Sequence, residues 1–203
     1  MIKAIAFDIE GVLVNQIKRK KSIQGKLAKE FNIKNKNWIK LIKPVIKLSS
    51  RGKITKKETL IRTKNILKEN PKKIMNVLET FYKRSYKINK TMINLSKKLR
   101  KNGYKVIIIS NLGHLAKEIL VENKSMKHFN KKIISCEIKS SKPSEKIFKI
   151  ALKKSNTKPN EMIFIDNLQK NIEASNNLGI KSILFKNNRE LIKELNKLGV
   201  KRK

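Results

Sequence analysis

The chain has 203 residues, a single cysteine and a formal net charge of +36, from 51 Lys and Arg against 15 Asp and Glu. That length allows one domain with a full core, or a core domain carrying a small insert. The lone Cys136 excludes an internal disulfide and a cysteine metal cluster, and no apolar run approaches membrane-spanning length.

A field of this sign attracts anions: nucleic acid, anionic lipid or phosphorylated metabolites. The basic residues are spread along the chain, apart from the local runs Lys18-Arg19-Lys20-Lys21 and Lys201-Arg202-Lys203. Lys, Asn and Ile are abundant throughout, as A/T-rich coding produces. A solvated surface is therefore the preferred reading, ahead of dedicated nucleic-acid binding. His114 and His128 show no ligand spacing, and Cys136 lies in an apolar segment and is expected to be packed. Met1 leads directly into the first predicted strand without a leader peptide. A cytoplasmic protein without membrane contact, monomer or homodimer, is expected.

In chain order, Ala4-Ile5-Ala6-Phe7 is a short apolar run of the kind that makes a strand buried on both faces. It stops at Asp8, followed by Glu10 and by Gly11, which permits a sharp turn. From Asn15 to about Asn89 the pattern predicts helices only. Ser22 caps the first, with Ile23, Leu27 and Phe31 at spacing four. The apolar stretch Trp38–Ile46 is interrupted by Pro44. Thr55-Lys56-Lys57-Glu58 fits a capping box, and Asn70-Pro71 opens a fourth helix. From Thr91 helix and strand alternate. Strands are expected at Lys105–Ile109, Ile133–Cys136, Met162–Ile165 and Lys181–Phe185, with helices between and after them. The fold class is thus α/β: a Rossmann-like parallel sheet with helices on both faces, and a small helical bundle inserted after strand one. Residues 1–14 with 90–203 form the core and 15–89 the insert.

Three strands end in polar groups, at Asp8, at Ser110-Asn111 and at Asp166-Asn167, and in a parallel sheet such ends lie along one edge. Ser140-Ser141-Lys142-Pro143 precedes a helix that reaches the same edge. This inventory suits phosphoryl transfer. Asp8 attacks phosphorus to form an acyl phosphate, and Ser110 and Lys142 hold the phosphoryl oxygens. A hard cation such as Mg²⁺ sits between carboxylates and phosphate. Glu10 protonates the leaving oxygen and then activates water.

The chain resembles the haloacid dehalogenase-like (HAD) hydrolases over nearly its whole length. Phe7-Asp8-Ile9-Glu10-Gly11-Val12-Leu13 is similar to their first motif and Ile108-Ile109-Ser110-Asn111 to the second. Ser141-Lys142-Pro143 with Ile147-Phe148 is similar to the third. Phe164-Ile165-Asp166-Asn167 with Asn171-Ile172-Glu173-Ala174 is similar to the fourth. The resemblance implies that the insert is the helical cap of this group, and that Asp8 is the nucleophile of a phosphatase acting on a small phosphorylated metabolite. It implies Mg²⁺ held by Asp8, the Glu10 carbonyl and the fourth-motif residues Asp166 or Asn167. It implies phosphate binding by Ser110 and Lys142, with Asn111 orienting the loop or the substrate. Two residues depart from the pattern. Glu10 stands where these phosphatases usually carry Asp, and Asn167 where the direct metal ligand is often Asp. The second departure raises one rival, a metal-independent 2-haloacid dehalogenase. Another is a degenerate, non-catalytic HAD protein that binds a phospholigand or nucleic acid.

Overall fold

A computed structural model describes residues 1–16, 23–122 and 124–201. The predicted Ser22 cap, the Lys18–Lys21 run and the end of the basic tail, Arg202-Lys203, lie outside the described residues.

Strand β1 (Ala4–Phe7) is wholly buried because nothing in it is polar. It lies at the centre of a five-stranded sheet of order β5-β4-β1-β6-β7. Here β4 is Lys105–Ser110, β5 Lys131–Ile134, β6 Met162–Asp166 and β7 Lys181–Leu184. All pairings in this sheet are parallel. Each central strand splits its side chains by the period of two. Ile5, Phe7, Val106, Ile108, Ile163 and Ile165 face one core layer with Met92, Leu99 and Leu195. Ala4, Ala6, Ile107, Ile109, Met162 and Phe164 face the other, with Ile147, Phe148 and Ile172. The first layer is covered by α6 (Lys90–Lys101) and α11 (Asn188–Lys197), the second by α9 (Glu145–Ser155) and α10 (Gln169–Asn176). The helix α7 (His114–Leu120) follows β4.

The α/β sandwich is the one expected, with one adjustment. Cys136 belongs not to a strand but to the single turn α8 (Ser135–Ile138), and is buried there.

Between β1 and α6 the chain forms α1 (Ile23–Glu30), α2 (Asn35–Asn37), a π turn at Trp38–Ile42, α3 (Lys43–Ser50), α4 (Lys56–Leu67) and α5 (Pro71–Ser85). They share a small apolar centre of Leu27, Ala28, Trp38, Ile42 and Phe81, with Phe31 stacked on Trp38. Thr55 Oγ1 accepts from Glu58 N at 3.2 Å and Glu58 Oε2 accepts from Thr55 N at 2.7 Å, the reciprocal box that the spacing predicts. Asn70 Oδ1 caps α5 by accepting from Lys73 N.

The helices-only expectation for this region needs correction. β2 (Val14–Gln16) and β3 (Tyr86–Ile88) pair antiparallel, Val14 opposite Ile88, Asn15 opposite Lys87 and Gln16 opposite Tyr86. Strands of three residues are too short to display a period, and their pairing joins opposite ends of the insert.

The ribbon is anchored by Asn89, whose Nδ2 donates to Val12 O at 3.0 Å and to Asn188 Oδ1 at 2.8 Å. At the opposite end of the insert Gly52 lies against the α/β body, where a Cβ would come within 2.6 Å of the Cys136 carbonyl oxygen. Beside it Ser49 Oγ accepts from His114 N at 3.1 Å, and Lys56 pairs with Glu118 at 2.6 Å.

Candidate active site

Asp8 continues the sheet for one more bond, its N donating to Ile165 O, and then the ladder ends. The chain turns back at once, with Gly11 N donating to Val14 O and Val14 N to Ile9 O. Glycine suits this turn by its backbone, and the Asn167 side chain lies over it. The φ of Gly11 is +91°, and a Cβ would lie 2.4 Å from Asn167 Nδ2.

The Asp8 carboxylate is 7 % exposed and is fixed through one oxygen. Oδ1 accepts from Ile9 N at 2.7 Å and from Ser110 Oγ at 2.7 Å, and meets Lys142 Nζ at 2.9 Å. Lys142 Nζ donates in turn to Asp166 Oδ2 at 2.6 Å and lies 5.4 Å above the Phe164 ring. Asp166 is fully buried. Its Oδ2 also accepts from Asn171 Nδ2 at 2.9 Å, and its Oδ1 from Leu168 N at 2.8 Å. One ammonium thus sits between two buried acids and gives each a charge-assisted hydrogen bond. Burial pushes the Asp8 carboxyl up, and the neighbouring Asp166 adds to this. Lys142 and the Ser110 hydroxyl pull it down.

Asn111 does not reach across the site. Its Oδ1 accepts from Lys142 N and its Nδ2 donates to Lys142 O, both at 2.8 Å, so its amide clamps the main chain that carries the lysine. Glu10 is partly buried, and its Oε1 accepts from Tyr86 Oη at 2.6 Å. Burial is the main cause that raises its carboxyl above the ordinary range, against the Tyr86 hydrogen bond.

These groups line a cleft of about 400 Å³ at the carboxyl edge of the sheet. Asp8, Glu10, Ser110, Asn111, Lys142 and Asn167 all reach it, and Asp166 lies beneath it. Gly11, Tyr86, Leu168 and Asn171 complete the wall without having been singled out as site residues. Asn171 marks the fourth motif in the sequence. Its hydrogen bond to Asp166 has a signal in that five-residue spacing, whereas Tyr86 has none.

Among the described residues no three His, Cys, Asp or Glu side chains gather as a metal site. Asp8, Glu10 and Asn167 are among the oxygen-bearing residues on the cleft wall. Hard oxygens with one carboxylate fit Mg²⁺, which keeps several waters and uses few protein charges beside a phosphate. Asp166 accepts from Lys142, Leu168 and Asn171.

A parallel sheet of this order with helices on both faces, acids and a lysine gathered at its strand tips beneath a helical insert, is a Rossmann-like α/β architecture. The chain belongs to the haloacid dehalogenase-like hydrolases, whose family model matches residues 5–185. It is similar to a HAD family enzyme from Bacteroides thetaiotaomicron, solved in complex with magnesium and inorganic phosphate. The two are 25 % identical over 90 % of this chain and 93 % of that one, with a TM-score of 0.72. A predicted HAD-like family hydrolase from Porphyromonas gingivalis has the same fold, at 21 % identity, 99 % coverage of both chains and a TM-score of 0.77. The rat bifunctional epoxide hydrolase 2 is 30 % identical over 116 residues, 55 % of this chain. The chain spans 21 % of the length of that relative. Among the described residues no helix is long and apolar enough to cross a membrane.

Proposed function

We propose that this hydrolase is a Mg²⁺-dependent phosphatase that cleaves a small phosphate monoester through an aspartyl-phosphate on Asp8. The observation that carries the reading is the placement of Lys142 Nζ, 2.9 Å from Asp8 Oδ1 and 2.6 Å from Asp166 Oδ2, with Ser110 Oγ on the same Asp8 oxygen. Among the described residues every contact to the Asp8 carboxylate goes to Oδ1, which leaves Oδ2 to attack phosphorus. As the Oδ2–P bond forms, the P–O bond to the leaving group breaks, and the Glu10 carboxyl gives its proton to the departing oxygen. In the second half a water attacks phosphorus and passes a proton back to Glu10. The P–O bond to Asp8 then breaks, and inorganic phosphate and the free carboxylate are restored.

Lys142 and Ser110 hold charge that develops on the phosphoryl oxygens, and being already in place they need no reorganisation during the reaction. Asn111 fixes the loop that delivers Lys142. Mg²⁺, held by Asp8, the Glu10 carbonyl and Asn167, would draw charge from the phosphate and align it with Asp8. The solved relative with magnesium and inorganic phosphate supports the same chemistry here. A cytoplasmic location, a monomeric or dimeric state and the division into a 1–14 plus 90–203 core and a 15–89 cap belong to the same reading.

The test is phosphate release across a panel of sugar, nucleotide and aryl phosphates. We expect turnover with Mg²⁺, loss with EDTA, and loss of at least about a thousandfold on Asp8→Asn, since that change removes the attacking oxyanion. Activity that survives Asp8→Asn, or a preparation inert to the whole panel, would overturn the reading. Metal-free halide release from 2-chloropropionate would replace it with the dehalogenase.

A further inference from the structure

Glu10 is one methylene longer than the Asp usual at its place, and that adds a torsion. A free Glu side chain loses rotamer freedom when it is fixed, and displacements of about 1 Å at a reacting centre are costly in rate. Something has to hold the longer arm. The residue that meets it comes from the far end of the insert.

Tyr86 opens β3, and its main chain is paired with Gln16 of β2, the strand that leaves the acid-bearing loop. Its ring stacks on Tyr82 of α5, with centroids 5.2 Å apart and planes 16° from parallel. Tyr82 in turn meets Phe81 edge-on at 5.9 Å and packs against both the sheet core and the insert's apolar centre. Main chain and ring are therefore both fixed, and the hydroxyl has one place to be. It donates to Glu10 Oε1 at 2.6 Å and leaves Oε2 unengaged by it.

We propose that Tyr86 is a positioning residue for Glu10, its hydroxyl bracing one carboxyl oxygen so that the other stands at the leaving-group side of the cleft. This rests on the phosphatase reading, in which Glu10 hands a proton to the leaving oxygen. Tyr86 itself need not touch the phosphate. A leaving group that departs readily as an anion needs little of that proton, whereas an alkoxide needs it fully.

The test compares the intact protein with Tyr86→Phe, Glu10→Gln and the double variant. Phe keeps the ring stacked on Tyr82 and removes only the hydroxyl. Substrates are p-nitrophenyl phosphate and whichever alkyl phosphate the panel shows to be turned over best. We expect Tyr86→Phe to lower kcat/KM for the alkyl phosphate about ten- to hundredfold, and for p-nitrophenyl phosphate less than about threefold. Competitive inhibition by inorganic phosphate should stay within about twofold, and the melting temperature should hold. In the Glu10→Gln background the same change should do nothing further, because the group it serves is gone.

Equal losses on both substrates, losses that multiply with those of Glu10→Gln, or no loss at all would each overturn the proposal. If the unaltered protein released no phosphate from any substrate, the phosphatase reading itself would fall, and that outcome is distinct from an active protein indifferent to Tyr86.

Discussion

Lys142 holds the site together at the scale of single residues. Its side chain is 1 % exposed, with Asp8 and Asp166 as its two anionic neighbours. Lys142→Met keeps much of the volume and removes the charge, which leaves two buried carboxylates facing each other. We expect a loss of about 3–5 kcal/mol in chemical denaturation measured with EDTA at neutral pH, together with loss of turnover. A cost below about 1 kcal/mol would show that the acids find other relief. The group around Lys142 was readable in the sequence because each member stands where a buried strand stops or a helix starts. Ladder pairing then decides where each side chain goes: Phe7 lies opposite Ile108 on one side and Ile165 on the other, which brings the next residues of the strands to one edge. Tyr86 was not readable, since its contact with Glu10 exists only after the whole insert has folded back. Nor was the double hydrogen bond from Asn111 to the Lys142 main chain, which depends on how two loops meet.

Among the elements, the insert's helices were legible where side chains close their first turns. Thr55 with Glu58 and Asn70 with Pro71 are local signals that depend on little else. Thr55→Ala removes the hydroxyl that accepts from Glu58 N and donates to Glu58 Oε2, while the main-chain half of the box, from residue 55 N to Glu58 Oε2, is kept. It should destabilise the protein by about 1 kcal/mol in urea titration. A change below about 0.3 kcal/mol would mean that α4 is held by packing alone. Pro44 marks a real boundary, because the π turn ends at Ile42 and α3 begins at Lys43. It falls in the first turn of α3, where its missing N–H is unneeded. The β2–β3 ribbon was missed for want of such a signal. Its six residues carry no pattern of their own, and it forms because Asn89 ties the ribbon's end to Val12 and to Asn188 of the last helix.

For the molecule as a whole, the charge dominates. Ion pairs such as Lys83–Glu79 and Lys197–Glu194 are exposed and contribute little each. Fifteen acids also cannot neutralise 51 basic residues. The folded state gathers this charge more tightly than the unfolded chain, so screening should favour folding. Raising NaCl from about 0.01 to about 1 M shortens the screening length from about 30 to about 3 Å. The melting temperature should rise by several degrees, and a flat or falling curve would refute self-repulsion as a limit on stability. The two attachments of the insert carry a mechanical consequence. At one end it is joined to the body by two paired strands. At the other it is gripped by Gly52 against Cys136, Ser49 on His114 and Lys56 on Glu118. An opening that parts the second set and keeps the first must pivot on the ribbon. In such an opening Tyr86 would sit on the axle and travel least, so the brace on Glu10 would persist while the rim swings clear.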